Sequence, residues 1–214
     1  MRTRLDENME RLSGELAQMC AASETAMSDA TEALLDVSLA AAERAIGSTD
    51  ELDRAAAEWE RSAFSLLALQ SPVAYDLRFV VGGLRVVADV QRMGGLAVHV
   101  AKITRLRHPD HVVPEVVRDL FTRMGEVADR QAAESVETLR QLDPERAEAL
   151  LHGDEAMDEL HAELLATAQS EEWRYGVQAA VDLTLLGRFY ERFCDHTVEI
   201  GRRVIWIETG VAPS

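Results

Sequence analysis

Leu12, Leu16, Met19, Ala26, Ala30, Leu34 and Leu35 recur at helical intervals and mark one apolar stripe. They predict a first helix from about Leu5 to Asp36. The run "AAERAIGSTDELDRAAAEWERSAFSLLAL" predicts a second, with a kink at Gly47 and a restart where Ser48 and Glu51 form a capping box. "LQSPVAYDLRFV" opens a third, with Ser71 as N-cap and Pro72 as its first helical residue, reaching about Leu106. Pro109 and Pro114 bracket "RHPDHVVPE", which reads as a joint. A fourth helix follows from about Pro114 to Leu142. "LDPER" ends it and starts a fifth, capped by Asp143 with Pro144 at its first position, which carries "HGDEAMDELHAELL". A sixth runs from near Glu172 to Thr209, with Gly210 just past its end. Long period-two alternation is missing, so the expected class is all-α.

The two halves resemble each other. "VVADVQRMGGLAVHVAKI" sets against "LGRFYERFCDHTVEIGRR", with Gln91-Arg92 on Glu191-Arg192, Val98 on Val198 and Val100 on Ile200. The preceding helices match too, "STDELDRA" against "GDEAMDEL", with Asp53 on Asp158. The expected architecture is two tandem three-helix bundles related by an internal repeat, 1–108 and 109–214, each a small core that gains from packing on the other.

Charge narrows the partners. Against 22 Lys and Arg stand 38 Asp and Glu, a net charge of −16. Phosphate backbones need a basic face, so nucleic acid is not expected. Anionic lipid would be repelled, whereas metal cations and basic protein surfaces would be attracted. "MRTRLDENME" has no apolar signal region, and no run is long enough to span a bilayer. With two distant cysteines, Cys20 and Cys194, a reduced, cytoplasmic protein is expected.

Asp154 with Asp158, and Glu191 with Asp195, each place two carboxylates one turn apart on a helix. Facing one another across two helices, they would hold a hard cation such as Mg²⁺, Mn²⁺, Ca²⁺ or iron. The plainer reading is a solvated face. Leu186, Phe189, Phe193, Ile200 and Val204 form the apolar stripe of the last helix. The acids lie opposite, where Arg188, Arg192 and Arg202 could neutralise them. The matching first-half positions are Thr49, Asp53, Gln91 and Gly95, so a symmetric site is not expected. His196 reads as a hydrogen-bonded surface or interface histidine and Cys194 as core. His108 and His111 lack ligand partners. Trp59, Phe64 and Trp173 read as core anchors. No P-loop, nucleophile elbow, Rossmann fingerprint or His-Glu-x-x-His is found, so no enzyme is expected.

"LQSPVAYDLRFVVGGLRVVADVQRMGGLAVHVAKI", "DEAMDEL" and "LLGRFYERFCDHTVEIGRRVIWIETG" resemble the signatures of the PhoU family of phosphate-signalling proteins, most closely its actinobacterial, PhoY-type members. The resemblance spans nearly the whole chain. It implies two similar three-helix bundles and surface metal clusters held by Glu/Asp-x-x-x-Asp motifs. Here these are Asp154 with Asp158 and Glu191 with Asp195, for iron, Mn, Mg or Zn. It also implies a negative regulator of phosphate uptake and the phosphate-starvation response. Such a protein is an adaptor between the ATPase of a high-affinity phosphate ABC transporter and a sensor histidine kinase, reaching the membrane only peripherally through them. Spare apolar faces on long helices suggest a homodimer. The alternative is a metal-dependent helical-bundle enzyme, a hydrolase or a di-iron protein, but the inward Glu-x-x-His pairs of di-iron bundles are not found.

Overall fold

The computed structural model describes residues 2–211, whose helices are α1 (Arg2–Asp36), α2 (Leu39–Gln70), α3 (Tyr75–Arg107), α4 (Glu115–Gln141), α5 (Pro144–Leu150), α6 (Glu155–Ala168) and α7 (Gly176–Thr209), joined by turns and short loops. The first three pack on one another as one bundle. In the second half α7 packs on α4, α5 and α6. Two helix pairs, α1 with α4 and α3 with α7, join the halves, so these four helices form the middle of the molecule. α2 flanks them on one side and α5–α6 on the other. α3 and α7 run antiparallel: Tyr75 donates its hydroxyl to Glu208 at one end, and Arg107 grips Asp182 at the other.

Local chemistry explains where the helices begin and end, and where the sequence pattern misleads. α2 is continuous through Gly47. Ser48 and Thr49 donate back to the carbonyls of Ala45 and Ile46 within the helix instead of restarting it. Its buried side, Ala41, Ala42, Ala45, Leu52, Ala56, Trp59 and Ala63, crosses the expected break, and burial there outweighs one glycine. Its N-cap is Ser38, whose hydroxyl accepts from the amide of Ala41. Ser71 does not cap α3. It closes α2 in the left-handed region (φ 47°, ψ 55°), and the helix ends there because the proline that follows disfavours a right-handed helical residue before it. α3 starts only after Ala74.

The expected fifth helix is two. Asp143 does cap α5, accepting from the amide of Glu145, with Pro144 at the first turn. The helix then stops at Leu150. Gly153 lies so close to Gln131 of α4 that a Cβ there would fall 2.1 Å from its Oε1, and the chain turns before α6. The last helix starts at Gly176, later than Glu172, after a turn in which the Trp173 amide donates to the Ser170 carbonyl. It ends at Gly210 (φ 75°), as the sequence predicts.

Trp59 is fully buried, as expected, and Trp173 sits partly buried at the rim of the core. Phe64 is not a core anchor: it is 61% exposed. α2 buries Trp59, Ala63 and Leu66, and Phe64, one residue past Ala63, turns about 100° off that face.

Candidate functional site

α6 and α7 form an antiparallel pair. Their sequences bring Asp154 level with Asp195, Asp158 level with Glu191, and His161 level with Arg188. Asp154 stands at the N-cap of α6 without capping it through its side chain, and Asp158 follows one turn on. The four carboxylates gather round Cys194. Burial raises the pKa of its thiol first, and Asp154, Asp195, Asp158 and Glu191 raise it further. That thiol is buried core, as expected from its place near the apolar stripe, and is no nucleophile.

The acids are not the solvated outer face that a helical wheel suggests. The Glu191 side chain is only 13% exposed, Asp154 and Asp195 are half-buried, and Asp158 alone is exposed. α7 is touched by α3, α4, α5 and α6, so the side opposite its apolar stripe is covered by α6. Of the three arginines expected to neutralise the acids, Arg188 pairs with Glu191 through Oε1, and Arg202 pairs with Glu199 instead. Glu191 Oε2 is buried and finds no hydrogen-bond partner. Neither does His161 Nε2, whose ring lies against Gly187. Sequence reasoning passed over His161. The visible signal was its place three residues after Asp158, on the same face of the helix.

The electrostatics follow. Burial raises the Asp154 pKa, opposed by its own backbone hydrogen bond and reinforced by Asp158 and Asp195. Burial and then Asp195 raise that of Glu191, with Arg188 pulling the other way. Burial and Arg188 lower the pKa of His161 against the attraction of Asp158.

The first half supplies an internal comparison. Where Glu191 faces Asp158, the repeat has Gln91 facing Asp53, and the Gln91 amide donates to Asp53 Oδ1 at 2.8 Å. Where Asp195 stands, Gly95 leaves open space. Thr49, the counterpart of Asp154, donates to its own helix. One repeat closes the helix pair with a hydrogen bond. The other sets carboxylate against carboxylate and leaves an oxygen orphaned. An oxygen-donor set carrying that much charge suits a hard or borderline cation. Among the described residues, no three His, Cys, Asp or Glu side chains close round a single point as ligands.

The raised pKa values give a signed expectation. The folded state holds these protons more tightly than the unfolded chain. Their contribution to stability is therefore present at acid pH and lost as pH rises from the ordinary carboxylate range, about 4, through the raised values. In chelator, the urea midpoint of the wild type should fall relative to that of Glu191→Gln as pH climbs from about 4 to 7. Parallel curves for the two proteins would remove carboxylate repulsion from the account.

Between the halves lies a second polar feature. Asp89 of α3, 4% exposed, meets His196 Nδ1 at 3.1 Å, with Arg203 3.9 Å away. His196 is thus an interface histidine, one of the two roles expected of it. Asp89 was missed, because it sits inside an apolar run and its partner is on another helix.

Long antiparallel helices in two repeated bundles, with one acidic pair set across α6 and α7, define a protein of the tandem helical-bundle class. The family model described as "PhoU domain" matches twice, over residues 16–104 and 121–204. The chain belongs to the PhoU family. It is 48% identical over 213 residues, covering both chains fully, to the phosphate-specific transport system accessory protein PhoU homolog 2 of Mycobacterium tuberculosis. It is 48% identical to PhoU homolog 1 of Mycobacterium leprae, covering 96% of that protein. Among solved structures it matches the phosphate transport system regulatory protein PhoU from Streptococcus pneumoniae, with TM-score 0.89, 20% identity and coverage of 98% of this chain and 99% of that one. PhoU from Pseudomonas aeruginosa matches with TM-score 0.83, 20% identity and coverage of 96% and 99%. These two share the fold.

Proposed function

We propose that the protein is a cytoplasmic accessory protein of phosphate transport that restrains uptake and the phosphate-starvation response. It would stand between the ATPase of the phosphate ABC transporter and a sensor histidine kinase. The observation that carries this reading is the full-length identity to relatives named as accessory proteins of phosphate-specific transport. Two physical features support it. No described helix is long and apolar enough to cross a membrane. The net charge of −16 favours basic protein surfaces as docking partners. Deleting the gene should raise expression of phosphate-uptake genes in phosphate-rich medium. Expression unchanged from the parent strain would count against the restraining role.

The same proposal gives the acidic pair a task. Asp154, Asp158, Glu191 and Asp195 would hold a cation, Mn²⁺, Mg²⁺, Zn²⁺ or iron, that offsets their repulsion and ties α6 to α7. The support is the contrast with Gln91–Asp53 and the orphaned Glu191 oxygen. The enzyme alternative is not favoured. The relatives' names describe accessory proteins, and the inward Glu-x-x-His pairs of a di-iron bundle are not found in the sequence.

A further inference from the structure

The outer face at the start of α7 is unusually apolar. Tyr175, Val177, Val181 and Leu185 are 50%, 81%, 48% and 45% exposed. Val177, Val181 and Leu185 are four residues apart, so they line one stripe. The stripe lines one side of a groove of about 530 Å³ between the end of α6 and the start of α7. Trp173 forms its wall, and Ala168, Gly176 and Ala180 contribute to its lining. The wall is held in place: the Trp173 indole donates to the Gly176 carbonyl at 2.9 Å and leans on the Tyr175 ring, with centroids 4.9 Å apart. Small lining residues and a fixed aromatic wall suit the ridge of a partner helix. Between the lining residues Ser170 and Trp173 the chain carries two exposed glutamates, Glu171 and Glu172, followed by the exposed Arg174.

We propose that this groove docks an amphipathic helix of a partner protein, one whose apolar stripe is flanked by Lys or Arg. The charge selects this occupant. A second copy seated in this groove would set its own Glu171 and Glu172 near those of the first, and an anionic lipid surface would be repelled by the net charge of −16. The inference rests on the adaptor reading only for the supposition that a protein partner exists.

The test uses the full chain and a short synthetic helical peptide with leucines on one face and lysines on the other. A second peptide carries glutamates in place of the lysines. Binding is read by tryptophan fluorescence and calorimetry. Trp173 reports the groove, because Trp59 is fully buried and Trp206 lies under Arg85. The wild type should bind the lysine peptide at least about tenfold more tightly than the glutamate peptide. Val177→Glu/Val181→Glu should weaken that binding by about tenfold or more, and Leu185→Glu should weaken it independently. Val116→Glu, at an exposed site elsewhere, should leave it unchanged. Each substitution adds negative charge, so a loss of binding cannot come from weaker non-specific attraction. Four results would overturn the proposal: no binding to the wild type, equal binding to the Val177/Val181 variant, equal binding of both peptides, or a wild-type dimer that this variant converts to monomer. The peptide readout involves neither transporter nor kinase, so its failure and the failure of the adaptor reading are separate results.

Discussion

Trp59→Ala is expected to cost about 3–5 kcal/mol, the range for removing a large buried aromatic. Against a typical total of about 5–15 kcal/mol, that is a large share of the whole stability. The indole is fully buried, and its Nε1 donates to the Leu12 carbonyl of α1 at 2.9 Å. Its ring presses on Gly83 of α3 so closely that a Cβ there would lie 2.4 Å from Cη2. One side chain therefore joins all three helices of the first bundle, and truncation removes that hydrogen bond and leaves a cavity. The neighbouring Gly82 meets Ile207 of α7 just as closely, so a shift of α3 reaches the second half. Gly83→Ala should destabilise by the reverse route, driving a methyl group into a ring that its hydrogen bond holds still. Urea unfolding monitored by circular dichroism checks both. A Trp59→Ala midpoint within error of wild type would contradict this packing account.

Glu191→Gln with Asp195→Gly should reduce bound metal to background while leaving helix content near wild type. The two changes give the second half the residues of the first, where Gln91 bonds Asp53 and Gly95 leaves open space. Glutamine is nearly isosteric with glutamate, and its amide can donate to Asp158 where two carboxylates now repel. In chelator the variant should be at least as stable as wild type, despite the helical cost of glycine, which is below about 1 kcal/mol. Addition of Mn²⁺, Mg²⁺, Zn²⁺ or iron should raise the melting temperature of the wild type only. Elemental analysis after loading decides the matter. If the wild type carries no more metal than the variant, Glu191 and Asp195 are a strained pair held by Arg188 alone.

Much of this was legible in the residues, and the misses share a cause. The internal repeat and the Asp143-Pro144 start are local or periodic signals, and both are present in the fold. Ser48–Glu51 and Ser71–Pro72 carry equally good local signals and failed. Burial along α2 overrode the first, and the constraint that Pro72 places on Ser71 reversed the second. The carboxylates were found by spacing, yet their burial was not. A helical wheel allots one buried side to a helix, whereas α7 is covered by four others. His161 and Asp89 escaped because what makes each notable is a neighbour on another helix. Such neighbours leave no trace in spacing along one helix.

The adaptor reading is tested most directly by capture. The full-length protein, immobilised and exposed to extract from phosphate-replete cells, should retain the ATPase of the phosphate transporter and the cytoplasmic portion of the sensor kinase. Retention should weaken as salt rises, because an acidic surface meets basic ones. Retention of neither, under conditions where the immobilised protein keeps its helical spectrum, would contradict the account.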